Sequence, residues 1–162
     1  MRGDAEAAVL PSAMSTHLAT IHWKRTTSDY TYESYSREHG WAFGGGSTLR
    51  ASAAPEFRGD AALPNPEEAL VASLSSCHML TFLAICAKKG ITVDEYDDAA
   101  QGHLEKNAEG RLAVTRVTLR PKVVFGAGAP DSAEAVAKLH ESAHRGCFIA
   151  ASVKTEIRVE PQ

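Results

Sequence analysis

The stretch Asn65-Pro66-Glu67-Glu68-Ala69-Leu70-Val71-Ala72-Ser73-Leu74-Ser75-Ser76-Cys77-His78-Met79-Leu80-Thr81 decides the fold of this chain, because it begins a long apolar helix that contains a cysteine. Its opening asparagine is a good N-cap, and the proline that follows suits the first helical position. The two glutamates complement the positive end of the helix dipole. Lys88-Lys89-Gly90 supplies the matching signals at the other end. We therefore predict a helix from Pro66 to about Lys89.

The apolar residues of this helix face almost every direction around its axis. They are Leu70, Val71, Leu74, Met79, Leu80, Phe82, Leu83 and Ile85. A helix that is apolar all round is enclosed by protein and does not lie on a surface. One chain of 162 residues can hardly enclose such a helix alone, so we expect a homodimer.

The composition limits the classes of function. With 162 residues, 44% of them apolar, the chain can form one domain with a sizeable core. Its net charge of -3 offers no basic surface to nucleic acid or to anionic lipid. The longest mainly apolar run, Met79 to Ala87, is too short to cross a bilayer. We therefore expect partners that are small molecules or proteins, with no nucleic acid and no membrane.

The start of the chain shows no secretory signal peptide, which makes the cytoplasm the default location. Residues 1–14 are rich in alanine and lack a pattern, so we expect a disordered leader followed by a single domain at 15–162. Three widely spaced cysteines in a reducing compartment argue against a structural disulfide framework. A disulfide in this chain would instead be transient and catalytic.

The rest of the chain predicts an α+β order around the long helix. Alternating and β-branched residues predict strands, and cap residues predict a second helix. The predicted elements are strands at His17–Arg25, Tyr30–Ser36 and Ser47–Ala53, extended segments at Thr92–Glu105 and Leu112–Phe125 that form a hairpin about Asn107–Gly110, a helix from Asp131 or Ser132 to about Arg145, and a strand at Val153–Val159.

Each cysteine has a structural interpretation. Periodicity alone makes Cys77 a small apolar core residue, and Cys86, nine residues further on, projects from the opposite side of the helix. Cys147 follows a helix that ends at Arg145-Gly146, where a glycine lets the chain turn sharply. Taken one at a time, all three cysteines are more often structural than reactive.

Three motifs in order resemble the OsmC/Ohr family of thiol peroxidases: Asn65-Pro66-Glu67-Glu68, then Ser76-Cys77, then Ala143-His144 with Cys147 three residues later. The resemblance spans roughly residues 19–159. It implies an α+β, OsmC-like fold in which antiparallel sheets pack around a long buried central helix in an intertwined homodimer. It also implies reduction of organic hydroperoxides without a cofactor or metal.

The resemblance further implies roles for single residues. Cys77 matches the peroxidatic thiol and Cys147 the resolving thiol, while Glu67 and an arginine support the thiolate. Arg37 lies forty residues before Cys77, about where the arginine of the family falls, and Arg58 is the alternative. The implied reductant is an external dithiol such as a lipoylated protein.

The chemistry of peroxide reduction agrees with these roles. A thiolate must attack the O–O bond, yet apolar burial raises the pKa of a thiol, so an opposing guanidinium is required. Glu67 would orient that arginine through a bidentate pair. Ten residues of straight helix nevertheless separate Glu67 from Cys77 by about 15 Å. Either the helix breaks between them, or the two sites of a dimer lie at the subunit interface, which is the arrangement we expect.

Two other functions stay open. His140-Glu141-Ser142-Ala143-His144 spells the H-E-x-x-H signature of zinc-dependent hydrolases, although only Glu156 and Glu160 follow as carboxylate ligands. A non-catalytic small-ligand binding module on the same fold is the second alternative. His78 adjoins Cys77, but neighbours on a helix point about 100° apart. We therefore expect His78 to pack in the core or in an interface.

Overall fold

The structure is a computed structural model that describes residues 15–162, so the leader predicted at 1–14 lies outside the described residues. Its strands form three sheets. The first sheet contains β1 (Ala19–His22), β2 (His39–Phe43) and β3 (Thr48–Ala51), the second contains β4 (Val93–Asp98) and β7 (Pro121–Phe125), and the third contains β5 (Gln101–Lys106), β6 (Leu112–Leu119) and β8 (Glu156–Val159). The helices are α1 (Pro66–Lys88), α2 (Ala133–Gly146) and the short α3 (Phe148–Ala151).

Helix α1 begins and ends where the end signals in the sequence predict. The Asn65 side chain accepts the N–H of Glu68 at 2.9 Å, and the Glu68 carboxylate accepts the N–H of Asn65 at 3.1 Å. This capping box satisfies two N–H groups that a first turn leaves unpaired. After Lys88 the chain leaves the helix at Gly90, whose φ of +72° suits a glycine.

One side of α1 is buried and the other is open. Leu74, His78, Phe82 and Cys86 form the buried stripe at intervals of four residues, whereas Leu80 is 59% exposed. The sequence prediction of a helix enclosed on all sides is therefore not met within one chain. By length and composition α1 could also span a membrane, a test that core helices of soluble proteins pass as well.

The prediction of a strand at Tyr30–Ser36 is wrong, because this segment forms a turn. The carbonyl of Thr31 accepts the N–H groups of Ser34 and Tyr35, and the hydroxyls of Thr31 and Ser34 lie 3.0 Å apart. Such local bonds offer Ser and Thr an alternative to a sheet ladder. The strand that the sequence pattern missed is β2, which pairs with both β1 and β3.

The hairpin predicted about Asn107–Gly110 is confirmed and joins β5 to β6. The predicted segment Leu112–Phe125 divides at Arg120, whose N–H donates to the Asp98 carboxylate at 2.6 Å. Strand β6 pairs with β5, whereas β7 pairs with β4. The expected antiparallel pairing holds for the other strand pairs within residues 15–162, whereas β8 departs from it and runs parallel to β6. Helices α2 and α3 provide the crossover that a parallel pair requires.

Two apolar clusters pack on the covered face of α1. One contains Phe82, Cys86 and residues of α2, and the other contains Leu74 with residues of β6. The side chain of Cys86 is fully buried, and burial raises the pKa of its thiol. The predicted core position of Cys86 is confirmed.

A pair of buried histidines joins α1 to α2. His78 Nε2 and His140 Nδ1 lie 3.1 Å apart, and the two residues are 1% and 2% exposed. The rings meet edge to edge, since their planes differ by 6° and their centroids are 5.4 Å apart. The face of His140 packs on Phe82 at 4.3 Å. Burial lowers the pKa of both histidines to about 4; for His78, His144 lowers it further and Asp98 opposes. Both rings are therefore neutral at pH 7.

We predict that this pair makes the fold sensitive to acid. Each folded pKa is about 4, against 6.5 for an ordinary histidine, so the unfolded chain takes up protons first as the pH falls below 6.5. The contribution of the pair to the free energy of unfolding is fully present above pH 6.5. It is lost as the pH falls towards 4, by up to about 3 kcal/mol for one histidine. Urea unfolding at pH 7 and at pH 4.5 measures the loss.

The control for this prediction is the double variant His78→Gln/His140→Asn, which places amides where the two bonded nitrogens lie. It lacks both titrating rings, so its free energy of unfolding should fall less between the two pH values. An equal fall in the free energy of unfolding in the variant and in the unmodified protein would contradict the assignment of the acid sensitivity to this histidine pair.

Candidate functional site

Cys77 lies in the middle of α1, beside the buried stripe, and is a half-buried free thiol. Thr81, one turn later, donates its hydroxyl to the Cys77 carbonyl at 2.8 Å. The methyl group of Thr81 faces Gly146 at the end of α2, where an added Cβ would lie only 3.0 Å from it. A glycine at this position therefore lets the end of α2 approach α1 closely.

Cys147 lies at the junction where α2 ends and α3 begins. It is 2% exposed, and its Sγ accepts the N–H of Ala150 at 3.4 Å. His140, Ala143 and Cys147 follow one another at intervals of three and four residues, which places them on one helical face, and all three are buried. This face of α2 packs against α1.

The structure brings Cys77 and Cys147 together. The pKa of the Cys147 thiol is raised, first by burial and then by a side-chain hydrogen bond with Cys77. The N–H groups of Ala150 and Ile149 act in the opposite direction, because they stabilise the thiolate. Both cysteines are free. Two free thiols that lie close together can form a disulfide after a movement of their side chains.

Arg37 lies in the segment between β1 and β2. Its guanidinium donates to the carbonyl of Tyr35 at 2.6 Å and to that of Tyr32, and it packs over the Tyr35 ring at 3.8 Å. Its Nε is buried and has no hydrogen-bond partner among the described residues. The group is thus held in place with its buried Nε–H left for a further acceptor.

Arg37 and Glu67 line one cavity of about 260 Å³. Its other walls are mainly apolar and include Trp23, Ala53, Ala54, Phe57 and Pro66. Within residues 15–162, however, no ion pair joins Arg37 to Glu67, so the expected bidentate pair is not formed in this chain. The alternative arginine, Arg58, lies over the Tyr32 ring at 5.6 Å and does not line this cavity.

Within one chain, this cavity does not contain the cysteine pair. Helix α1 is unbroken from Pro66 to Lys88, so Glu67 and Cys77 remain about 15 Å apart along its axis. None of the described residues that line the cavity is a cysteine. The helix break that we considered from the sequence is absent from α1.

A larger groove of about 1030 Å³ runs along the open side of α1. Helix α1 forms one wall, with Val71, Ser76 and Met79, and strands β5 and β6 contribute the other. The groove is acidic: its carboxylates are Glu56, Glu67, Glu68, Asp98 and Glu105, and none of the described residues that line it is a lysine or an arginine. Such a groove repels anionic ligands.

The H-E-x-x-H sequence on α2 does not form a metal site. His140 points into the core, where it contacts His78 and Phe82, whereas Glu141 is exposed. A zinc-dependent hydrolase needs both imidazoles of the motif on one ion. Across residues 15–162, no group of three His, Cys, Asp or Glu residues is arranged to hold a metal. This geometry argues against the zinc-hydrolase interpretation.

Sequence reasoning missed the bond between the histidines. It placed His78 in a packed environment, which is confirmed, but it considered His140 only as a zinc ligand. The available signal was the seven-residue interval from His140 to Cys147, which puts both on one helical face. His78 directly follows Cys77, so the same two helices hold the histidine pair and the cysteine pair.

The comparisons with known proteins agree with this fold. The profile of the OsmC-like protein family matches residues 59–162, and the chain therefore belongs to that family. An OsmC-like protein of unknown function from Vibrio cholerae is 47% identical, with a TM-score of 0.88 over 92% of this chain and 100% of the other. A comparison with curated proteins gives no match.

Two more distant structures share the fold. The organic hydroperoxide resistance protein OsmC of Legionella pneumophila is 18% identical, with a TM-score of 0.66 over 93% of this chain and 97% of its own. The organic hydroperoxide resistance protein OhrB of Bacillus subtilis is 17% identical, with a TM-score of 0.65 over 91% and 98%. At these identities the likeness shows a common fold.

We predict that the close approach at Gly146 is required for the packing of α2 on α1. Gly146→Ala should destabilise the fold by roughly 1 kcal/mol more in the unmodified protein than in a Thr81→Ser background, which lacks the opposing methyl group. A double-mutant cycle by urea unfolding measures this coupling. Equal effects of Gly146→Ala in the two backgrounds would show that the Thr81 contact is not limiting.

Proposed function

We propose that this protein is a cysteine-based peroxidase that reduces organic hydroperoxides, with Cys77 as the peroxidatic thiol and Cys147 as the resolving thiol. The observation on which the proposal rests is the proximity of these two free thiols, which lie seventy residues apart in the sequence. Membership of the OsmC-like family and the fold shared with organic hydroperoxide resistance proteins support it. Cys86 is buried in the core and takes no part.

The proposed cycle balances without a cofactor. The Cys77 thiolate attacks one peroxide oxygen, the O–O bond breaks, and the alkoxide leaves as an alcohol after taking up a proton, so that Cys77 becomes a sulfenic acid. Cys147 attacks that sulfur, and the S–O bond breaks. The hydroxide leaves as water with the proton of the Cys147 thiol. A cytoplasmic dithiol, such as a lipoylated protein, then reduces the disulfide by exchange.

In this proposal Arg37 and Glu67 serve the Cys77 of a second copy of the chain. Arg37, whose Nε has no partner among the described residues, and Glu67 line one cavity that contains no cysteine of their own chain, and the unbroken helix α1 keeps Glu67 about 15 Å from Cys77 along its axis. A guanidinium beside the thiol would offset the rise in pKa that burial imposes. The apolar cavity walls suit the carbon group of an organic hydroperoxide better than hydrogen peroxide.

The open apolar surfaces of the chain fit a homodimer. Large apolar side chains are exposed on and beside the first sheet and on the open side of α1, and they include Leu18, Ile21, Trp23, Phe43, Leu49 and Leu80. Monomeric soluble proteins rarely expose large contiguous apolar surfaces. A second copy packed against α1 would bury these side chains and enclose the helix.

We predict distinct behaviour for the three cysteine variants with tert-butyl hydroperoxide and an excess of a small dithiol. Cys77→Ser should release no alcohol above background. Cys147→Ser should release about one equivalent per chain and then slow, because the sulfenic acid is not resolved within the chain. Cys86→Ser is the matched control and should turn over like the unmodified protein. Chromatography of the released alcohol measures all three.

Two results of this experiment would contradict the proposal. Turnover by Cys77→Ser at the unmodified rate would assign the chemistry to another group. A folded, reduced, unmodified protein that releases no alcohol would instead favour a non-catalytic binding module.

Mixed dimers test whether the site is shared between chains. Cys77→Ser and Glu67→Gln should each be weakly active or inactive as homodimers. When the two chains are coexpressed, each mixed dimer contains one fully intact site, so activity should recover to about a quarter of the unmodified level. No recovery in mixed dimers verified by native mass spectrometry would refute the shared site, while leaving the chemistry of the cysteine pair in place.

A further inference from the structure

The proposed cycle assigns no role to the buried pair His78–His140, although it joins the same helices as the cysteine pair. His78 directly follows Cys77 on α1, and His140 shares a face of α2 with Cys147. Helix α1 is therefore joined to α2 by a hydrogen bond between imidazoles, and one residue away Cys77 lies close to Cys147.

Packing alone does not account for two histidines at these positions. His78 Nδ1 and His140 Nε2 are both buried and have no partner among the described residues. The shared bond uses one N–H and one lone pair, so every neutral arrangement leaves one outer N–H and one outer lone pair unpaired. An unpaired buried polar group is unfavourable, and two apolar side chains could fill this space without it.

The pair is suited to fix a geometry and poorly suited to move protons. With pKa values lowered to about 4, both rings are neutral and weakly basic at pH 7. Their bond has a defined length of 3.1 Å and a defined plane, and Phe82 covers the face of His140 at 4.3 Å. Unlike an apolar contact, a hydrogen bond fixes both distance and direction.

We propose that His78 and His140 are positioning residues, whose hydrogen bond holds α1 against α2 so that Cys147 can attack oxidised Cys77. The inference rests on the proposed function and assigns the pair to its second step. The first step needs only the Cys77 thiolate and the peroxide. The second step needs two sulfurs from two different helices in line, and its proton comes from the Cys147 thiol, so the histidines need not supply one.

The test separates the rates of the two steps in the reduced full-length protein. The rate of Cys77 oxidation by tert-butyl hydroperoxide is read by rapid quenching and thiol alkylation, and disulfide formation by mass spectrometry. In His78→Leu, oxidation should stay within about twofold of the unmodified rate, whereas disulfide formation should slow at least about tenfold. Sulfinic acid should then accumulate on Cys77 when the peroxide is in excess.

Rescue by amides distinguishes positioning from bulk packing. Gln places an amide near the position of His78 Nε2, and Asn places one near that of His140 Nδ1, so the two can bond across the interface. His78→Gln/His140→Asn should form the disulfide within about threefold of the unmodified rate. This variant also keeps the test possible if His78→Leu does not fold.

Cys86→Ala is the matched control, since it removes buried volume two turns from His78 in the core between α1 and α2 and leaves the histidine bond in place. It should lower the free energy of unfolding and leave both rates unchanged. The inference is overturned if His78→Leu forms the disulfide at the unmodified rate, if both steps slow equally, if Cys86→Ala slows the disulfide step as much, or if the amide pair fails to restore it. Failure of the unmodified protein to oxidise Cys77 at all would overturn the proposed function itself.

Discussion

The packing of α2 against one side of α1 is the interaction on which the rest of the structure depends. It buries the stripe that contains Phe82 and Cys86, and it allows the close approach of Gly146 to Thr81. The same interface places Cys147 beside Cys77, although the sequence separates them by four strands and a helix. Core stability and the candidate chemistry therefore rest on one set of contacts, and a change at this interface should be assayed for both.

The second constraint is that α1 is unbroken and that only one side of it is covered. Its capping box and its uninterrupted hydrogen bonding keep Glu67 about 15 Å from Cys77, so a charge at the first turn cannot serve the thiol of its own chain. The open side of α1, the acidic groove beside it and the exposed apolar side chains of the first sheet are consistent with one explanation. A partner chain would cover the helix and bring its own Arg37 and Glu67 to the thiol.

The sequence predicted the structural features that depend on residues close together in the chain. The ends of α1 and the hairpin at Asn107–Gly110 follow from caps and turns, and both are confirmed. The prediction of a strand at Tyr30–Ser36 was wrong because the hydroxyl side chains of this segment form hydrogen bonds within a turn. The alternation of residue types does not reveal such bonds. The parallel pairing of β8 with β6 depends on contacts forty residues apart in sequence, beyond any local pattern. In the site, the cysteine pair was expected from family resemblance, whereas the histidine bond depends on how two helices pack and was missed.

We propose above that Cys77 and Cys147 form one redox pair. Its most direct test treats the reduced protein with one equivalent of an alkyl hydroperoxide, blocks the remaining thiols and maps the peptides by mass spectrometry. We predict a disulfide between Cys77 and Cys147, with Cys86 recovered as a blocked free thiol. Recovery of both Cys77 and Cys147 as free thiols under excess oxidant, or a disulfide that includes Cys86, would contradict it.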